Sequence, residues 1–280
     1  MKNTFEIAGG TVKGKIHKLD GKNNQDAYSF YTDEDVVIGL VADGCGSGAN
    51  SEVGARLAVR MIGEMLRAYA KTGGLFYPDC MEEIRLGFIE KLKSLAQGMG
   101  GSFSRVVVDY FLFTLVGFLV TKERTAVFSL GDGVQMINGE IRMLGPFPGN
   151  APPYIAYGIT STSLGQDNPE LLKFKIDYLV NTEDVECLLV GTDGVNDLIR
   201  SSKKKMPNKE TPVGDLSQFW SDDIYFRNQD KVRRQLSMIN ADSFKYLRNR
   251  AGAIVEVKKE NGLLPDDTTL IVARRKRSLE

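Results

Sequence analysis

The order of apolar patterns along this 280-residue chain predicts an α+β fold. Three observations carry that reading. Strand-like stretches open the chain, two long helix-patterned segments then follow one another directly, and strands return before a closing pass of helix and strand. The regular strand-helix alternation of a parallel sheet is missing.

Taken in order, the opening strands are Phe5 to Lys13, Ala27 to Tyr31 and Val36 to Ala42. Asn50 or Ser51 then caps a helix. In it Val53, Leu57, Met61 and Met65 recur every fourth residue, with Leu66 and Tyr69 beside them. Gly73-Gly74 ends it. A second helix runs from about Pro78 to Ala96 with Met81, Ile84, Phe88, Leu92 and Leu95 on one stripe, and both stripes read as core-facing. From Phe103 to Leu144 the pattern returns to strands. Val134 to Ile137, Asn138-Gly139 and Glu140 to Leu144 form a hairpin signal, because Asn-Gly suits a type I′ turn. Gly145 to Asn168 is loop-like and broken by Pro146, Pro148, Pro152 and Pro153, with Pro169 following. A loop that long is often a functional flap. Strands around Leu172 to Tyr178 and Glu186 to Thr192 precede a helix start at Asp193 to Arg200. A charged loop, Ser201 to Lys209, opens an insertion of about 201–227, and a helix near Asn228 to Asn240 leads to a last strand that re-enters the same sheet. Residues 1–275 are thus expected to form one domain, with loops or insertions at about 145–170 and 201–227. Arg274-Arg275-Lys276-Arg277 reads as a solvated basic terminus, residues 276–280 as a tail, and Leu279-Glu280 as a cloning remnant.

Thirty-six basic and 36 acidic residues cancel, which gives no electrostatic case for a nucleic-acid or membrane partner. Cys45, Cys80 and Cys187 are too few and too scattered for a disulfide framework or a zinc site, which favours a cytoplasmic protein. The first residues lack the apolar core of a signal peptide. Phe111 to Val120, the most apolar stretch, is about half the length of a spanning helix and reads as a buried strand.

The chemistry lies in the acidic residues. Apolar stretches run into Asp-Gly at Asp43-Gly44, Asp132-Gly133 and Asp193-Gly194. Asn24-Gln25-Asp26 precedes one strand and Asp266-Asp267-Thr268-Thr269 precedes another. Carboxylates repeated at strand ends suit hard divalent cations with oxygen ligands. One Asp-Gly after a strand is usually a turn; three of them together with two further acidic elements at strand starts point to metal-dependent hydrolysis.

In this order the set resembles the metal-dependent type 2C protein phosphatases, the PPM family, over nearly the whole chain. The motifs are Asn24-Gln25-Asp26-Ala27, Asp43-Gly44-Cys45-Gly46, Gly131-Asp132-Gly133, Thr192-Asp193-Gly194-Val195-Asn196-Asp197 and Asp266-Asp267-Thr268-Thr269. The stretch VADGCGSGANSEVGARLAV is similar to a bacterial subgroup. The resemblance implies a central antiparallel β-sandwich flanked by helices, with metals in a cleft at one end. It also implies serine/threonine protein phosphatase activity with two Mn²⁺ or Mg²⁺ ions and, in several relatives, a third. Asp43 would bridge two ions, Asp193 and Asp266 would complete one of them, and Asp26 with the carbonyl of Gly44 would serve the other. Asp132 and Asp197 match the third. Asp43 and Asp193 would thereby carry the catalysis: an activated water attacks phosphorus in line, without a phosphoenzyme. The implied partners are a phosphoserine or phosphothreonine protein and a cognate kinase.

Gly21 and Cys45 depart from the family's pattern, and a lone histidine stands near the first acidic motif. The family's phosphate-binding Arg, five residues before the first Asp, is Gly21 here with Lys22 adjacent, so either Lys22 supplies the charge or the site differs. Cys45 stands where some relatives have His. His17, the only histidine, lies nine residues before Asp26, from where it would bind the substrate phosphate or protonate the leaving group, unless its role is structural. Two other readings compete: a catalytically silent binding module of the same fold, which the intact acidic set opposes, and another two-metal enzyme such as a phosphodiesterase, which a single histidine opposes.

Overall fold

A computed structural model describes residues 1–72, 78–160 and 169–277. Its strands are β1 (Phe5–Val12), β2 (Asp26–Thr32), β3 (Val37–Gly44), β4 (Phe113–Val120), β5 (Arg124–Leu130), β6 (Gly133–Ile137), β7 (Glu140–Leu144), β8 (Lys175–Asn181), β9 (Cys187–Gly191), β10 (Ser243–Arg248), β11 (Ile254–Glu260) and β12 (Thr268–Arg275). The helices are α1 (Lys15–Leu19), α2 (Glu52–Thr72), α3 (Pro78–Gly98), α4 (Phe103–Tyr110), α5 (Gly194–Arg200), α6 (Gln218–Ser221), α7 (Ile224–Arg227) and α8 (Lys231–Ile239).

Two five-stranded antiparallel sheets, ordered β1-β12-β9-β6-β7 and β2-β3-β4-β5-β8, pack face to face. Strand alternation explains the layering. In β3, Val37 and Val41 point into the sandwich with Val116, Phe118, Leu188, Val190 and Ile271. Ile38, Leu40 and Ala42 point the other way, onto the helical layer of α2 and α3. On the far side, Val134, Leu189, Leu270 and Val272 receive Val195 and Leu198 of α5 and Val232, Leu236 and Ile239 of α8. The result is the expected α+β sandwich with helices on both outer faces. The Asn-Gly hairpin forms as expected, with Asn138 and Gly139 both at positive φ (52° and 88°) between β6 and β7.

Several expectations are corrected. Phe103–Tyr110 is a helix, not a strand: Val106 and Val107 are buried on its inner side, and Arg105 pairs with Asp109 one turn on at 2.6 Å. Three consecutive valines raise strand propensity, yet tertiary packing decides. The buried stripe of α2 is Ala55, Ala58, Val59, Ile62 and Leu66; Val53 is exposed, as is Leu95 of α3. The segment 201–227 is largely irregular, with only the short helices α6 and α7, yet it is packed inward: Met206, Val213, Leu216, Phe219 and Tyr225 fill the core under β12 and α8. The basic terminus is not simply solvated: Arg274, inside β12, is buried and holds Glu6 and Asp223, and Arg277 donates to Asp223. Gly73-Gly74, residues 161–168 of the long loop, and Leu279-Glu280 lie outside the described residues. No described helix is long and apolar enough to cross a membrane.

The candidate metal centre

Asp26 opens β2 and Asp43 sits near the end of β3, directly opposite it in the antiparallel register. Both belong to one sheet. Asp193 follows β9 and Asp266 precedes β12, neighbouring strands of the other sheet. Strand ends from both halves of the sandwich therefore converge on one cavity. It is lined by His17, Asp43, Gly44, Cys45, Gly46, Thr114, Asp132, Pro152, Tyr154, Asp193 and Asp266.

Close backbone approach makes this convergence possible. A Cβ on Gly194 would lie 2.0 Å from the carbonyl oxygen of Asp267, and one on Gly14 would lie 2.3 Å from the carbonyl carbon of Asp266. Only glycine at both positions lets α1 and α5 close on the Asp266-Asp267 turn. Lys15 and Ile16 N–H donate to the carbonyls of Leu264 and Pro265, both at 3.0 Å, tying the start of α1 to the same turn.

The carboxylates crowd one another. Burial, then the charges of Asp26, Asp193, Asp266 and Asp132, push the Asp43 carboxyl well above the usual carboxylate range. Burial and the charge of Asp267 do the same to Asp26, against hydrogen bonds from Thr269 and Thr192. Burial and Asp266 push Asp193 up to about 6. Asp132 and Asp266 are raised as well, chiefly by burial. Thr192 donates to Asp26 Oδ2 at 2.8 Å, yet Asp26 Oδ1 and Asp193 Oδ1 are buried with no hydrogen-bond partner. Converging anionic oxygens with orphaned lone pairs fit hard divalent cations, which would replace the protons that burial otherwise demands.

Each anticipated residue has a definite place. Asp26, Asp43, Gly44, Asp193 and Asp266 meet at the cavity or directly behind it. Asp132 lines it, and Asp197 acts electrostatically on Asp193 and Asp266 while pairing with Arg200 at 3.6 Å. His17 lines it too. Lys22 is not among the lining residues; its Nζ donates to the Gly46 carbonyl at 2.6 Å, which puts it on the rim. Cys45 neighbours Ser47 and Tyr154: burial would push its thiol up, but hydrogen bonds from these groups outweigh that and lower it. Part of the long loop packs down, with Tyr154, Ile155 and Ala156 buried and Pro152 and Tyr154 walling the cavity.

One central residue had no role assigned from sequence. Asp267 accepts from His17 Nδ1 at 2.8 Å and Gln25 N at 2.6 Å through Oδ2, and from Gly14 N at 2.6 Å through Oδ1. The signal in the sequence was a second carboxylate directly after Asp266. His17, Asp266 and Asp267 also bring ligand atoms within 4.8 Å of one another, but the contacts of Asp267 already use both its oxygens.

The profile of the family described as "Protein phosphatase 2C" matches residues 13–238. No curated protein matches the sequence. Among solved structures, serine/threonine phosphatase Stp1 from Staphylococcus aureus is 14% identical, with 98% of this chain and 96% of that chain covered at a TM-score of 0.53. A bacterial serine phosphatase is 13% identical over 99% and 100% of the two chains, with a TM-score of 0.52. The S. agalactiae serine/threonine phosphatase is 14% identical over 97% and 100%, with a TM-score of 0.50. These structures share the fold.

Proposed function

The chain belongs to the protein phosphatase 2C family, and we propose that it is a metal-dependent phosphoserine/phosphothreonine protein phosphatase. One observation carries the reading: acidic strand ends from both sheets converge on one cavity with two orphaned buried oxygens, Asp26 Oδ1 and Asp193 Oδ1. Asp43 would bridge two Mn²⁺ or Mg²⁺ ions, Asp193 and Asp266 would hold one, Asp26 and the Gly44 carbonyl the other, and Asp132 with Asp197 a third. When bound, such ions activate water for direct attack and neutralise charge at phosphorus, so that no phosphoenzyme is needed.

The remaining work falls to protein groups. Asp267 accepts from Nδ1 of His17 and so fixes the ring, leaving Nε2 for the substrate. In the protonated ring Nε2 donates to the leaving alkoxide oxygen. His17 is the only described cavity-lining side chain that can carry positive charge, so it also contacts the phosphate; Lys22 adds charge at the rim. The substrates are phosphoproteins supplied by a kinase.

The test is turnover of p-nitrophenyl phosphate and of a phosphothreonine peptide with Mn²⁺, Mg²⁺ or EDTA, beside Asp193→Asn. Metal-dependent turnover that the variant loses is the expected result. Folded protein that is silent with every metal would leave the binding-module reading instead.

A further inference from the structure

β10 and β11 form a ribbon that pairs with neither sheet, and it enters the chain between α8 and the turn that carries Asp266. Of the nineteen large apolar side chains exposed among the described residues, six sit here: Phe244, Tyr246, Leu247, Ile254, Val255 and Val257. The register gathers Phe244, Tyr246, Ile254 and Val257 on one face together with Arg248 and Lys259. A two-stranded ribbon with such a face gains little from folding onto itself, and both of its outer edges are open to a further strand.

The charges select the occupant. The ribbon carries five cationic residues against Glu256 and Glu260. Lys245 pairs with Glu260 and Lys259 with Asp242, so Arg248, Arg250 and Lys258 have no carboxylate partner among the described residues. A second copy of the ribbon would bring like charges together, whereas an acidic segment would neutralise them.

The position ties this surface to the catalytic cleft. Asn240, at the ribbon's base, accepts from Leu264 N at 3.0 Å, donates to the Lys13 carbonyl at 2.7 Å, and receives Lys18 Nζ on its own carbonyl at 2.7 Å. Ribbon base, α1 and the Asp266 turn are thus one hydrogen-bonded unit. Along α1, Ile16 and Leu19 add exposed apolar surface, and Lys15 and Lys18 add charge. We infer that the β10–β11 ribbon is a docking arm for an acidic, partly apolar extended segment of the phosphoprotein substrate, which pairs along a ribbon edge while its phosphorylated residue enters the cleft beside His17. This rests on the phosphatase reading above.

Two phosphothreonine peptides test it. Both extend far enough to span a strand of about 20 Å; one carries alternating Glu and Phe in the extension and the other alternating Lys and Phe, and each is made with the extension on either side of the phosphothreonine. Kinetics are measured on the full chain, on Arg248→Glu/Arg250→Glu/Lys258→Glu, and on a chain with residues 244–259 replaced by a Gly-Ser link between the register partners Ser243 and Glu260. The wild type should favour the acidic peptide in kcat/KM by about fivefold to tenfold, the scale of three exposed ion pairs. Added salt should erode that preference. Both variants should lose it while keeping wild-type turnover of p-nitrophenyl phosphate, which fits the cleft alone. A preference that survives in the variants, or no preference in the wild type, overturns the docking arm while p-nitrophenyl phosphate turnover still upholds the phosphatase. Ribbon-dependent dimers in sedimentation, or ribbon-dependent binding to anionic vesicles with no peptide preference, would also overturn it.

Discussion

At the residue scale, the most informative contact is His17 Nδ1 on Asp267 Oδ2 at 2.8 Å. If His17 protonates the leaving oxygen, His17→Gln should lower kcat on a phosphothreonine peptide by roughly 10²–10⁴. Turnover of p-nitrophenyl phosphate should fall far less, because a nitrophenolate leaves without a proton. Equal losses on the two substrates would remove the acid role and leave phosphate binding or structure. Asp267→Asn is a milder cut. The amide presents one acceptor where the carboxylate now satisfies three N–H groups, so the ring loses its fixed orientation and the leaving-group dependence should shrink in part. The steady-state ratio of the two substrates across these variants is the measurement.

At the scale of elements, close packing sets the tolerance to change. A Cβ on Gly10 of β1 would sit 2.4 Å from the backbone N of Arg233 and 2.9 Å from its Cα, so α8 would have to lift off its sheet. Gly10→Ala should therefore destabilise by about 1–3 kcal/mol or more, read from the urea midpoint. Gly98→Ala, at the end of α3 with nothing within 4 Å, should leave the midpoint unchanged or slightly higher. Much at this scale was legible in the sequence. Runs such as Val36 to Ala42 and the Asn138-Gly139 turn have a local cause, and the Asp motifs sit at strand ends because their glycines and polar neighbours stop the apolar run. What was illegible depended on contacts distant in sequence. Val106-Val107-Val108 favours a strand locally, and only burial of the first two against α2 and α3 makes it a helix. The segment 201–227 hid its role because Met206, Val213, Leu216, Phe219 and Tyr225 are spaced irregularly and meet only in the fold. The Phe244–Val257 ribbon leaves no burial pattern in the sequence because its apolar side chains have no core to face. Asp267 was in plain view, but its bond to His17 spans 250 residues.

At the scale of the whole molecule, the proposed metal centre would double as a clasp between the two sheets, since Asp26 and Asp43 come from one and Asp193 and Asp266 adjoin the other. Without ions, the carboxyls of Asp26, Asp43, Asp132, Asp193 and Asp266 are all raised in the folded state. A group with a raised folded pKa contributes stability that is complete below its unfolded value and is lost as pH climbs through the folded value. For Asp193, pushed from 3.8 up to about 6, that loss is at most about 3 kcal/mol, and it falls between pH 4 and a little above 6. The metal-free protein should therefore unfold at a lower temperature at pH 8 than at pH 5. Divalent ions held by these carboxylates would take the place of those protons, so their benefit would run the opposite way. At an ion concentration about a hundredfold above Kd, one site adds about 2.7 kcal/mol. That raises Tm by about 5 °C or more in a chain of this size. The rise should be large at pH 8 and small at pH 5, where protons compete for the same oxygens. Thermal unfolding in EDTA and in Mn²⁺ or Mg²⁺ at the two pH values gives four numbers that decide the matter. A metal-induced rise equal at both pH values, or a metal-free protein more stable at pH 8, would mean that these five carboxylates do not share the ions. Asp43→Asn should abolish most of the metal-induced rise at pH 8 while raising the metal-free Tm there, because it removes the most crowded charge from the cluster.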